Sequence, residues 1–110
     1  EIADAKAILG RDGIGCEPAS ATTVAGLKKL IEGDRKNVRI DAEEDVVAIL
    51  TGHQLKDPEY TVNYHLDNLY QHAAYRTEVT KKSGRIHPRF SNRPVQVDLD
   101  RDRIVELLKL

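Results

Sequence analysis

The apolar positions in the first third of the chain recur at the spacing of a helix. One run covers residues 1–9 and ends at Gly10, which predicts the last turns of a helix followed by a turn. A second run covers residues 21–32, with Ser20 before it as the expected cap and Gly33 after it. The apolar face of this second helix has positions three and four apart: Val24, Leu27, Leu30 and Ile31. We therefore predict that two helices occupy most of the first 33 residues.

A different pattern follows in the middle of the chain. Residues 46–50 form a continuous apolar run rich in β-branched side chains, which is typical of a strand buried on both faces of a parallel sheet. After a loop at residues 51–53, Asp57 and Pro58 begin a third helix, which we expect to cover residues 59–72. The alternation of helix, strand and helix predicts an α/β fold.

The last third of the chain is basic and contains several turn residues. Between Arg76 and Arg93, six Lys and Arg side chains face a single acid, and we predict an arm that lies over the surface. Val95 and Val97 predict a short strand, and Asp100 is placed to cap a final helix. The apolar positions of that helix are Ile104, Leu107 and Leu108.

Composition limits the class of protein. The 110 residues are 40% hydrophobic and 32% charged, with a formal net charge of −1, which is typical of soluble globular proteins and gives no general attraction to nucleic acid or anionic lipid. No apolar run reaches the ~20 residues of a membrane helix, and the single cysteine fits a reducing compartment, so we expect a cytoplasmic protein. Because the chain contains no Met and opens within a helical pattern, we expect it to be a fragment of a longer protein.

Two stretches go beyond a generic α/β pattern. Residues 13–27 read GIGCEPASATTVAGL, and residues 50–58 read LTGHQLKDP. In this order and at this separation, both resemble threonine synthases, which are pyridoxal-phosphate enzymes of fold type II. The likeness extends more loosely through residues 64–66 and 90–95, so it covers most of the chain.

The resemblance implies a fold and a division of the chain. The fold is part of a fold type II pyridoxal-phosphate enzyme domain, an α/β unit with parallel strands flanked by helices. Residues 1–75 would be the C-terminal part of the cofactor-binding catalytic region. Residues 76–110 would be a C-terminal arm with a short strand and a terminal helix.

The resemblance also implies an activity for the complete enzyme. Threonine synthases use pyridoxal phosphate to convert O-phospho-L-homoserine and water to L-threonine and phosphate, and they act in the cytoplasm as homodimers. The expected partners are therefore this small substrate, the remainder of the same chain and a second copy, with no nucleic acid and no membrane. The family's imine lysine lies in a motif that this sequence lacks, so we expect no catalytic residue here and an inactive fragment.

Thr51 is the principal candidate for binding the cofactor. It follows the predicted buried strand, at the end where open parallel sheets place their ligands. The resemblance implies that its hydroxyl donates to the neutral pyridine nitrogen, where an Asp would instead keep the ring charged. Gly52 has no Cβ and lets the backbone approach a flat ring closely. The alternative is that both residues simply end a strand.

Glu17 and Ser20 are the second pair of candidates. By resemblance, residues 17–21 line the pocket near the ring, with Glu17 in its polar network. Glu17 could instead be a solvated acid in the first turn of a helix, and Ser20 could be only the helix cap. Lys56, next to Asp57, is interpreted as a structural charge, because the imine lysine of the family belongs to another motif.

A metal site or a cysteine nucleophile are alternatives with little support. His65 and His72 are seven positions apart, whereas paired ligands on a helix are usually three or four apart, and no CxxC motif is present. No acidic residue is placed by the sequence to orient a histidine beside Cys16. The candidate ligands are Cys16, His53, His65, His72 and His87. We predict no metal.

A binding module is the rival from another class. The basic arm between Arg76 and Arg93 could hold a phosphate-rich partner such as RNA, although only Tyr75 and Phe90 flank it as aromatic residues. A segment that docks onto the remainder of its own enzyme is a third interpretation, and it is compatible with the resemblance.

Overall fold

The computed structural model describes residues 1–33, 38–69 and 87–109. Within these ranges the regular elements are all helical. They are α1 (Ile2–Arg11), α2 (Pro18–Glu32), a short 3₁₀ helix (Gln54–Lys56), α3 (Pro58–His65) and α4 (Arg101–Leu108). None of these helices is long and apolar enough to cross a bilayer.

The two predicted N-terminal helices are confirmed, with a correction to each. Helix α1 continues through Gly10, its predicted stop, to Arg11, and the second correction is at the start of α2. The helix begins at Pro18, three residues before the predicted start, because Glu17 is extended and a proline fits the first helical position. Ser20 therefore lies inside the first turn and is not the cap. The turn after α1 requires Gly13, whose φ of 86° is in the left-handed region.

Helix α1 packs against α2 through small side chains. On α2 the buried residues are Ser20, Ala21 and Ala25, whereas Ile31 of the predicted apolar face is 65% exposed. Small residues allow two helices to approach closely. The larger apolar residues of α2 are left half-buried or exposed in this chain.

Helix α3 is confirmed at its start and is shorter than predicted. Pro58 occupies its first position, but the helix ends at His65 because Asp67 adopts the left-handed conformation, with φ of 57°. The amide of Asn68 then donates to the carbonyl of Asn63, and the amide of Asp67 donates to Tyr64, which closes the last turn. The predicted continuation over residues 70–72 lies outside the described residues.

A small core joins α1 to α3. Ala3, Tyr64 and Leu69 are buried together, with Ala7 and Tyr60 packed against them. The Tyr64 hydroxyl donates to Asp4 Oδ1 at 2.6 Å and accepts from the Phe90 amide at 3.3 Å. These hydrogen bonds attach Phe90 to α3 and, through Tyr64, to α1.

The predicted strand at residues 46–50 is not formed. Val47 is 86% exposed and Ile49 is 73% exposed, because a parallel strand needs neighbouring strands and covering helices that the described residues do not supply. Among those residues the only β contact is an isolated antiparallel bridge between Cys16 and His53. The parallel-sheet fold class stays a prediction.

The end of the chain matches the prediction in part. Helix α4 is confirmed, and its cap Asp100 accepts a hydrogen bond from the Arg103 amide at 2.9 Å. Val95 and Val97 are not in a strand, because they face no partner strand in the described ranges. Of the predicted basic arm, residues 76–86 lie outside the described part of the chain.

Candidate functional site

The four predicted cofactor residues meet where the start of α2 contacts the turn after residue 50. Ser20 Oγ accepts hydrogen bonds from the amides of Thr51 at 3.0 Å and Gly52 at 3.2 Å. The Glu17 amide donates to the Gly52 carbonyl at 2.8 Å. Residues 31 to 35 positions apart in the sequence are therefore held together by direct hydrogen bonds.

The hydrogen bonds of Ser20 determine how the Thr51 hydroxyl is oriented. The two oxygens lie 3.4 Å apart. A serine hydroxyl has two acceptor positions and one hydrogen, and both acceptor positions of Ser20 are taken by the two backbone amides. Ser20 must therefore donate to Thr51, and the hydrogen of the exposed Thr51 hydroxyl is left to donate to another group.

In this arrangement, Gly52 leaves room for the Glu17 side chain. A Cβ atom at Gly52 would overlap the carboxyl group of Glu17, which is buried with 8% of the residue exposed. The backbone of the turn can therefore lie directly against this carboxylate only because residue 52 has no side chain.

The Glu17 carboxylate is paired with Lys56. Lys56 Nζ lies 2.6 Å from Glu17 Oε2. The hydrogen bond to Glu17 and the charge of that carboxylate raise the pKa of Lys56 above its ordinary value. An amine must lose its proton to attack an aldehyde, so this environment favours the structural role that the sequence indicated for Lys56.

The other candidate metal ligands among the described residues each contact a different partner. Cys16 is buried, and its backbone forms the bridge to His53. The ring of His53 accepts from the Leu55 amide, and the ring of His87 lies 2.9 Å from Asp67. Among the described residues, no group of three or more His, Cys, Asp or Glu is placed to hold a metal ion. His72 lies outside those residues.

The sequence analysis did not identify one charged residue that is buried in the structure. Lys6 of α1 is only 7% exposed, and its ammonium donates to the Thr61 hydroxyl of α3 at 2.8 Å. Its spacing of three from the buried Ala3 is the only signal in the sequence that places it on the buried face of α1. That spacing alone would not have singled out a lysine.

Comparison with curated proteins gives matches to three threonine synthases. The chain is 49% identical over 63 residues to the enzyme of Methanocaldococcus jannaschii, 48% over 64 residues to that of Methanosarcina acetivorans, and 44% over 63 residues to that of a Synechocystis species. The matches cover 56 to 57% of this chain. No family model matches the chain, and no solved structure matches it significantly.

These matches cover only a small part of each relative. The chain spans about 15% of the length of the curated relatives it matches. Over the matched 63 or 64 residues, this chain is similar in sequence to threonine synthases, which confirms the resemblance to that family.

Proposed function

We propose that this chain is the part of a threonine synthase that forms the pyridine side of the pyridoxal-phosphate pocket. The complete enzyme would convert O-phospho-L-homoserine and water to L-threonine and phosphate. The observation that carries the proposal is the Ser20–Thr51 contact, which leaves the Thr51 hydroxyl hydrogen available as a donor. The sequence relationship to three threonine synthases supports the same assignment.

The chemistry of the site fits the ring nitrogen of this cofactor. When bound, pyridoxal phosphate supplies the electron sink for the reaction. Thr51 would hold the ring nitrogen with a neutral donor, which suits an unprotonated nitrogen. The Glu17 carboxylate of this site is paired with Lys56 and lies against Gly52, so it would not serve as a charged partner of the ring nitrogen. The Glu17 carboxylate occupies the space beside Gly52, so Gly52 would act by making room for Glu17 rather than for the ring.

The complete enzyme would supply what this chain lacks. We propose that the family's imine lysine and phosphate-binding loop come from the rest of the complete enzyme, and that the chain alone is inactive. We further propose that residues 46–50 join a parallel sheet of the complete enzyme, which would cover Val47 and Ile49. A homodimer located in the cytoplasm is part of the same proposal.

A segment exchange tests the proposal. Residues 13–58 of this chain would replace the matching segment of the Methanocaldococcus jannaschii enzyme, and threonine formation and pyridoxal-phosphate affinity would be measured. We expect the chimera to be active, Thr51→Ser to retain activity, and Thr51→Val to lose about tenfold in cofactor affinity or turnover, because one hydrogen bond to the ring is removed.

The matched control is Thr22→Val. Thr22 is an exposed threonine of α2 whose hydroxyl bonds only the Ala19 carbonyl of its own helix at 2.6 Å. We expect this variant to equal the chimera. If Thr51→Val also equals the chimera in both affinity and turnover, Thr51 is not the ring partner and the proposed site is wrong.

A further inference from the structure

A second cleft lies between α1, α3 and residues 90–92. Its volume is about 700 Å³, and none of the four residues of the proposed cofactor site lines it. Among the described residues that line it, three are basic and none is acidic. The basic residues are Lys6, Arg11 and His65.

Lys6 is the central charge of this cleft. It is 7% exposed, and of the three hydrogens on its ammonium one is donated to Thr61. No carboxylate of the described residues lies within ion-pair distance of it. Burial lowers the pKa of Lys6, and the more distant Cys16 and Asp57 act in the opposite direction. A partly buried ammonium without a counter-ion is unfavourable, so an anion in the cleft would stabilise it.

The neighbouring groups are also donors. The Asn92 amide donates to His65 Nδ1 at 2.9 Å, so the hydrogen of the neutral ring is on Nε2. Burial and the charge of Lys6 lower the pKa of His65, which favours this neutral form. Arg11 Nε is bound to the exposed Asp12 at 3.2 Å, and its two terminal nitrogens keep their hydrogens for another partner.

We propose that this cleft binds a small organic anion through a phosphate or carboxylate group, with Lys6 as the charge partner. The cleft is larger than an inorganic phosphate, and the aromatic rings of Tyr60 and Phe90 on its walls can contact an apolar portion of the ligand. The proposal does not depend on the cofactor site, because the two sites share no residue.

The test uses inorganic phosphate and acetate as separate probes of the complete 110-residue chain. Amide shifts would be followed by two-dimensional NMR at constant ionic strength. We expect saturable shifts at Thr61, His65 and Asn92 with phosphate, acetate or both, and the stronger probe identifies the group that the ligand carries. Lys6→Met should weaken the binding at least ~10-fold, as expected for losing one charge-assisted hydrogen bond.

Two further variants keep the result interpretable. Lys28→Met removes an exposed lysine of α2, paired with Glu32 at 3.7 Å, and should leave binding unchanged. Arg11→Gln changes an exposed side chain of the cleft and should weaken binding even if Lys6→Met does not fold. The proposal is overturned if neither probe gives saturable shifts, if folded Lys6→Met binds like the unsubstituted chain, or if Arg11→Gln binds normally where Lys6→Met is unfolded.

Discussion

Ser20 Oγ lies 3.0 Å from the backbone nitrogen of Thr51 and accepts its hydrogen bond. This contact joins the two stretches that resemble threonine synthases, one at the start of α2 and the other in the turn after residue 50. It also determines that the Thr51 hydroxyl is a donor toward its surroundings, because Ser20 has no acceptor position left for it.

Removing the Ser20 hydroxyl should loosen the turn. In Ser20→Ala, the amides of Thr51 and Gly52 lose their acceptor in a partly buried place, so we expect a loss of about 0.5–1.5 kcal/mol in the free energy of unfolding. Urea denaturation of the 110-residue chain measures it. Ser91→Ala, at an exposed serine, is the control and should change stability little. Equal stability of the two variants would contradict the role given to Ser20.

Glycine at residue 52 should be intolerant of a methyl group. In Gly52→Ala the new Cβ overlaps the Glu17 carboxyl group, and we expect a loss of about 1–3 kcal/mol. Gly26→Ala is the control, because a Cβ there meets no atom within 4 Å and the position is helical. That variant should gain about 0.5–1 kcal/mol. Denaturant unfolding measures both changes in the free energy of unfolding. If Gly52→Ala is as stable as the unsubstituted chain, the contact with the Glu17 carboxyl group does not restrict residue 52.

The contribution of the Lys56–Glu17 pair to the free energy of unfolding should depend on pH in the alkaline range. Because the pKa of Lys56 is raised in the folded chain, its contribution is complete below the ordinary lysine value of 10.5 and is lost as pH rises through the higher folded value. The stability difference between the unsubstituted chain and Lys56→Met should therefore shrink above pH 10.5. A difference that stays constant with pH would be evidence against the pair.

The contribution of Lys6 to stability should change with pH in the opposite direction. Its pKa is lowered in the folded chain, so the unfolded chain binds more protons between the folded value and 10.5, and stability rises with pH in that window. Relative to Lys6→Met, the unsubstituted chain should become more stable as pH approaches 10.5. Parallel denaturation series at neutral and alkaline pH measure this. A flat difference over the window would mean that Lys6 is not buried in solution.

Local patterns predicted the helices but not all of their ends. The three- and four-residue spacing located α2, and Asp57 and Pro58 located the start of α3. The premature end of α3 depends on the left-handed conformation of Asp67, which few sequence signals specify for a residue other than glycine. The length of an element is therefore less predictable than its presence.

Long-range relationships were beyond the reach of pattern analysis. Ser20 was placed as a cap because its type and position suited one, yet its partners lie 31 and 32 residues away. The run at residues 46–50 has the composition of a buried strand, but burial depends on neighbours that the described residues lack. The four site residues could be proposed from the family motifs, whereas their mutual geometry required the fold.

The antiparallel bridge between Cys16 and His53, with the adjacent bond from the Glu17 amide to the Gly52 carbonyl, has a consequence for protein engineering. The backbone itself fixes the register of the two motifs, so the geometry of Ser20 and Thr51 does not depend on the length of the connection between them. Insertions of a few residues at 38–45 should leave that geometry intact, because lengthening a surface loop adds little to its closure entropy.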